Sequence, residues 1–283
     1  MHGILDHFPR FFIAFVRNGL GVELLTERTK PIIRIKDASF RYSLDEESIL
    51  LRDVNFSIYE GEHILLLGTS GSGKSMFVKS IMGLLFLDSG IYEAFDRSMK
   101  NPSSRILYNV RHKIGILPDK GILIQNRSVR SNLAFPLQFV ANHSQSRANQ
   151  IVDRILDENC LLPIQSCLPF ELSINMIKTV GLLRALIFDP KLLILDDPIE
   201  GLDHEGFLFL RSILKRVREK GETTIFTLSR KPLLPIGVFS RYYEICEGRA
   251  IKEVDEARVL QLRENFYASW STDGGTQEEK ATR

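Results

Sequence analysis

The residues with the clearest chemistry form one run, Gly68-Thr69-Ser70-Gly71-Ser72-Gly73-Lys74-Ser75, which matches G-x-x-x-x-G-K-[ST] in full. Glycines let a backbone curl until successive N–H groups point inward, and such a nest binds phosphate oxygens. In that arrangement Lys74 reaches the β- and γ-phosphates and the Ser75 hydroxyl ligates Mg²⁺. Lys74, Ser75 and Met76 open a helix whose N-terminal dipole favours the same negative charge. The bland alternative is a glycine-rich turn with a surface lysine. It does not account for the buried-strand pattern Ile64–Leu67 in front or the helical stripe of Met76, Phe77, Ile81, Met82, Leu84 and Leu85 behind. The run is a site for a nucleoside triphosphate with Mg²⁺.

A second constellation, Lys191-Leu192-Leu193-Ile194-Leu195-Asp196-Asp197-Pro198, has four apolar residues closed by two carboxylates. It reads as a buried parallel strand that delivers acids at its C-terminal end, where ligands bind in open α/β sheets. Alone it could equally be a strand entering a turn. Downstream of a phosphate loop, Asp196 becomes the Walker-B carboxylate that holds Mg²⁺ directly or through water.

The elements that must position these groups follow from periodicity. Ile32–Ile35, Ile64–Leu67, Ile114–Leu117, Leu192–Leu195 and Thr224–Leu228 read as strands, and Lys74–Phe86 and Ile174–Phe188 as helices. Strands alternating with helices predict an α/β core with a mostly parallel sheet. The stretch from about Asn126 to Leu186 carries helical periodicity without strand signals, so a helical subdomain is expected at about 120–186. Residues 1–31 form an N-terminal extension with Phe8, Phe11, Phe12 and Phe15 on one helical face. That face either docks on a membrane surface or partner, or packs on its own domain. Residues 254–283 are expected to form a C-terminal helix and a disordered tail, because Ser271–Arg283 is almost without apolar residues.

Composition closes several alternatives. Lys plus Arg number 37 against 35 for Asp plus Glu, which argues against a dedicated nucleic-acid binder. Three cysteines without C-x-x-C spacing suit neither a disulfide framework nor a zinc site. No apolar run reaches the length that spans a bilayer.

The order of further motifs resembles the nucleotide-binding domain of ABC transporters over roughly 32–253. Ser39-Phe40-Arg41-Tyr42 is similar to the A-loop, in which Tyr42 would stack on adenine; otherwise Tyr42 is an exposed strand aromatic. Leu87-Asp88-Ser89-Gly90 resembles the turn after the P-loop helix. Leu172-Ser173-Ile174-Asn175-Met176 stands at the signature position, and Gly201-Leu202-Asp203 resembles the D-loop. The resemblance implies an ABC-type P-loop NTPase: a mostly parallel sheet core with an antiparallel β edge and an inserted helical subdomain. It also implies that two cassettes sandwich two ATP molecules, Ser173 of one chain meeting the γ-phosphate bound by the other. A separate transmembrane permease would be driven from the cytoplasmic side, where the chain would sit peripherally on the inner face of the cell membrane. The segment Gly121–Ile124 with Val129–Leu137 resembles the corresponding part of bacterial Mla/Mce-type lipid-transport ATPases.

Four positions depart from the family pattern. Asp119 replaces the Q-loop glutamine; it keeps an oxygen for Mg²⁺ but cannot donate when ionised. The signature reads L-S-I-N-M in place of L-S-G-G-Q. The base after Walker B is Asp197 where glutamate is usual, one methylene short, and a misplacement of about 1 Å costs on the order of a hundredfold in rate. Arg230 aligns with the switch histidine; it cannot pass a proton but would hold a γ-phosphate as a charged fork, unless it is a solvated loop charge beside Lys231. Two readings follow: an ATP-hydrolysing transport subunit with unusual catalytic residues, or a nucleotide-gated module that binds ATP and dimerises but turns over little, or only with an ordinary partner ATPase. Homodimer and heterodimer both remain open at this point.

Overall fold

Alternation of buried and exposed side chains sets the first strand. In β1 (Ile33–Arg41) Ile33 and Ile35 are buried while Arg34 and Lys36 face solvent, and the phase then shifts at Asp37, so that Ala38 and Phe40 are buried. The shift is a β-bulge: Asp37 has φ 46°, and the register against both neighbouring strands breaks there. Opposite it stands Gly90 (φ 82°), whose added Cβ would fall 2.2 Å from the Asp37 carbonyl oxygen. The bulge exists because Gly90 has no side chain. With β2 (Ile49–Ile58), β4 (Phe86–Ala94) and β5 (Arg97–Ser98), β1 forms an antiparallel sheet in the order β2-β1-β4-β5. Residues 87–90, expected as a turn, therefore belong to a strand.

This computed structural model describes residues 30–42, 49–234, 238–245 and 251–274. The N-terminal aromatic stripe and Cys246 lie outside the described residues.

The second sheet is built from uninterrupted apolar runs, as expected of strands covered on both faces. β3 (His63–Leu67), β6 (Ile114–Leu117), β7 (Leu192–Asp196), β8 (Thr224–Ser229), β9 (Arg241–Ile245) and β10 (Ile251–Val254) lie in the order β10-β9-β3-β8-β7-β6. Every neighbouring pair is parallel except β9 and β10.

Helix α1 (Lys74–Ile81) follows the phosphate loop and is clamped between the two sheets. Its Phe77 packs edge-on against Phe56 of β2 at 4.9 Å and Phe226 of β8 at 6.0 Å between ring centroids. All three rings belong to one buried cluster. The helix stops five residues short of the expected Phe86, because Arg111 takes the freed carbonyls of Met82 and Gly83 and the chain turns into β4.

After α2 (Ser104–Arg111) and β6, the chain makes three helices: α3 (Val129–Phe139), α4 (Gln145–Glu158) and α5 (Ile174–Leu186). Ser128, Ser144 and Ser173 cap them by accepting backbone N–H groups of the first turn. Leu133 and Leu137, Val152 and Leu156, and Val180 and Leu183 interlock in a separate core. Among the described residues no strand falls between β6 and β7. Helix α6 (His204–Lys220) begins on an Asp203 cap and ends on Gly221 (φ 68°). Helix α7 (Glu256–Gly274) carries helical backbone through residues 271–274, where the sequence led us to expect none.

Candidate functional site

Four adjacent parallel strands, β3, β8, β7 and β6, end at the same sheet edge, and each releases one functional group. The phosphate loop follows β3, Arg230 follows β8, Asp196 and Asp197 close β7, and Asp119 sits in the turn after β6. The site is thus assembled by strand order from residues far apart in sequence.

In the loop, Gly71 and Gly73 adopt φ 78° and 107°, conformations that a side chain would strain. The Gly68 N–H donates to the Ser229 carbonyl (3.1 Å), which ties the loop to the end of β8. Lys74 Nζ donates to the carbonyls of Gly68 (2.5 Å) and Thr69 (2.8 Å), so the lysine folds back inside its own loop. Burial lowers its pKa from the usual lysine range, while the Asp197 and Asp196 carboxylates pull the other way. Ser72 Oγ is buried without a hydrogen-bond partner. An orphaned hydroxyl in a glycine-rich loop at a helix N-terminus fits a phosphate oxygen acceptor. Thr69 and Ser70 are exposed at the mouth, Ser75 is exposed at the start of α1, and Met76 is half-buried behind it.

Asp196 is half-buried, and its pKa is pushed up to about 6 by burial, then by the like charges of Asp197 and Asp119; Lys74 and Arg230 offset part of this. Together with the Ser75 hydroxyl it fits a hard cation, which would relieve that accumulation of charge. Tyr42, at the end of β1, is 54% exposed, with its ring available for stacking.

Asp197 is buried in the left-handed region (φ 45°) and is held from several sides. Its N–H donates to the Leu228 carbonyl (2.9 Å), and its Oδ1 accepts from the Arg230 N–H (2.7 Å). The Arg230 Nε lies 2.8 Å from Asp197 Oδ2, an ion-pair distance, although its N–H is not aligned for a hydrogen bond. The same guanidinium donates through Nη2 to both Asp119 oxygens, at 3.2 and 3.1 Å. Burial works to lower the Arg230 pKa, but the Asp197 and Asp119 carboxylates outweigh it and hold it above the usual arginine range. Arg230 is therefore no solvated loop charge: it bridges Asp119 and Asp197.

Lys178 was not singled out by the sequence. It is 1% exposed on α5, and its Nζ donates to the carbonyls of Asp197 (2.8 Å) and Pro198 (3.3 Å), fastening the turn that carries Asp197. Its only signal is a lysine among Met176, Ile177, Val180 and Leu182.

At the signature position Ser173 is exposed at the N-terminus of α5, where its Oγ accepts from the Met176 N–H (3.3 Å). The next two side chains, Ile174 and Asn175, meet the turn 201–203 of the same chain. Ile174 lies where a Cβ on Gly201 would come within 2.9 Å, and Asn175 Oδ1 accepts from the Asp203 N–H (3.4 Å).

A groove of about 630 Å³ runs between α2, β6, α3 and α5. Leu107, Tyr108, Phe135 and Phe188 line it, with Arg111 and Arg184 among its polar groups. Buried Asn132 shapes one wall by exchanging hydrogen bonds with Ile124 and donating to the Arg127 and Ser128 carbonyls. Among the described residues no helix is long and apolar enough to cross a membrane.

The sequence profile of the ABC transporter family matches residues 51–200. "Probable ribonucleotide transport ATP-binding protein mkl" of Mycobacterium bovis is 31% identical over 185 residues, covering 64% of this chain and 51% of its own length. The chain thus spans about half of that relative. "Intermembrane phospholipid transport system ATP-binding protein MlaF" of Haemophilus influenzae is 27% identical over 246 residues, covering 86% of this chain and 92% of its own. Among solved structures, cbiO1 from Clostridium perfringens superposes with a TM-score of 0.70 at 21% identity, over 85% of this chain and 94% of that one. A dimeric ATP-binding cassette bound to ADP and Pi gives 0.68 at 23% identity, over 79% of this chain and 98% of that one. These structural likenesses show the fold.

Proposed function

Because the chain belongs to the ABC transporter family, we propose that it is the ATP-binding subunit of such a transporter, coupling Mg-ATP binding and hydrolysis to a separate membrane permease. The observation that carries this reading is the convergence of Lys74, the orphaned Ser72 hydroxyl, Asp196 and Asp197 at one sheet edge. Loop amides of Thr69, Ser70, Gly71 and Gly73, the Ser72 hydroxyl and the Lys74 ammonium would bind the phosphates, and Tyr42 would stack on the base. Ser75 and Asp196 would hold Mg²⁺, with Asp119 as a further oxygen ligand. When bound, the cation neutralises phosphate charge and orients the scissile bond. Asp197 would accept a proton from the attacking water, since its backbone is tied to Leu228 and its carboxylate is oriented by the Arg230 N–H. Arg230 would stabilise charge on the transferring phosphoryl group. Ser173 of a facing cassette, identical or not, would complete each site.

The apolar groove along α2, β6 and α3 suits a helix end of the permease, an arrangement that would link cargo movement to the site through β6. A phospholipid cargo is supported by the MlaF relative, which this chain matches along 92% of that protein's length. Peripheral placement on the cytoplasmic face follows from such a permease. Phosphate release by the chain assembled with its permease tests the reading. Asp197→Asn should lower the rate at least about a hundredfold while Mg-ATP affinity is kept. An unchanged rate would show that Asp197 is not the base.

A further inference from the structure

We propose that Asp119, Asp197 and Arg230 form one exchangeable ion-pair latch that tempers this chain's preference for nucleoside triphosphate over diphosphate, with Asp119 as the residue that sets by how much. The inference rests on the ATP-binding reading above and adds a role for its substituted residues. Three of the four departures from the family pattern are these same residues, and the structure joins them through a single guanidinium. Arg230 Nη2 contacts both oxygens of Asp119, and Nε faces Asp197 Oδ2. The two carboxylates are not held alike. Asp197 is anchored by backbone bonds to Leu228 and Arg230 and by Lys178 beneath its turn. Asp119 stands on the short Pro118–Gly121 turn, and its side chain is 34% exposed against 7% for Asp197. The exposed pair is the one that can open.

A γ-phosphate is the only part of ATP missing from ADP, and it would compete with Asp119 for the same guanidinium edge. Opening the pair costs the triphosphate part of its binding free energy and costs the diphosphate nothing, because a diphosphate has no group that needs Arg230. Loss of the Asp119 charge should therefore tighten ATP binding selectively. A plain long-range charge effect would instead tighten both nucleotides, and would do so whether or not Arg230 is present. A coupling term between the two residues separates these cases.

The test measures the affinities of ATP and ADP for the full chain in EDTA, so that any role of Asp119 on Mg²⁺ does not intrude. Asp119→Asn should raise the ratio of ADP to ATP dissociation constants about fivefold, with the ADP value changed less than twofold. In an Arg230→Gln background the same substitution should leave the ratio unchanged. If Asp119→Asn melts too early to be assayed, Asp119→Gln serves at the same turn with the same expectation. Equal tightening of both nucleotides, an unchanged ratio, or a shift that persists without Arg230 overturns the latch. A wild-type chain that binds neither nucleotide, with or without Mg²⁺, would instead overturn the ATP-binding reading.

Discussion

Asp196 shows how a site is set up at the expense of the fold. Its carboxyl is half-buried beside Asp197 and Asp119, and its pKa of about 6 lies above the ordinary value of 3.8. A folded-state pKa raised in an acid means that the folded chain holds the proton more tightly than the unfolded one. Between about 6 and 3.8 stability therefore falls as pH rises, and the destabilisation is fully present at neutral pH. Asp196→Asn should raise the melting temperature by a few degrees at pH 7.5 in buffer free of metal and nucleotide. The gain should vanish near pH 4, where the wild-type carboxyl is protonated too. A gain that does not depend on pH would mean that charge is not its source. The same substitution should abolish Mg²⁺-dependent tightening of ATP binding, since the amide cannot replace a hard anionic ligand. Lys74 and Arg230 are the counterweights at this scale, and Lys178 fastens the turn that carries Asp197.

At the scale of elements, the clamp on α1 positions the loop, and the β-bulge in β1 sets the phase of the antiparallel sheet. Gly90→Ala would place a Cβ 2.2 Å from the Asp37 oxygen at a positive φ, so it should destabilise the chain by at least about 2 kcal/mol. Gly61→Ala is the control: it has φ 78° but nothing within 4 Å, and should cost about 1 kcal/mol. Urea midpoints at constant slope would show the difference, and equal shifts would mean that the bulge yields easily. The phosphate loop, the Walker-B strand and the parallel core were legible because each is written in a short contiguous run. The antiparallel sheet was harder to read, since its bulge breaks the period of β1 and its β4 strand carries Asp88, Ser89 and Gly90, residues that locally spell a turn. The helix after the loop was over-extended because Leu84 and Leu85 continue the apolar stripe, while the residue that ends it, Arg111, lies far along the chain. The pairing of Arg230 with Asp119 spans 111 positions and has no local signature at all.

For the whole molecule, a near balance of 37 basic and 35 acidic residues conceals a concentrated arrangement. Asp119, Asp196 and Asp197 face Lys74, Lys178 and Arg230 at one sheet edge, and the apolar groove lies along β6. Phe139 is 62% exposed at the end of α3 and stacks on Phe135 of the groove wall at 4.7 Å. Arg127 lies over both rings. If this face receives the permease, Phe139→Asp should weaken subunit association about tenfold or more, as loss of an aromatic anchor does. ATP affinity should stay within twofold, because the contacts of Phe139 are with Phe135 and Arg127 and not with the residues proposed to bind the nucleotide. Co-purification and nucleotide titration on the same variant would check both, and intact association would place the permease elsewhere.

The central claim is that the loop from Gly68 to Ser75 binds a nucleoside triphosphate through Lys74. The most direct test is the dissociation constant of Mg-ATP for wild type and Lys74→Ala, with far-ultraviolet circular dichroism to confirm equal folding. Loss of a charge-assisted contact of about 2–3 kcal/mol predicts an affinity at least about thirtyfold weaker in the variant. An affinity within threefold of wild type, in a folded variant, would contradict the account.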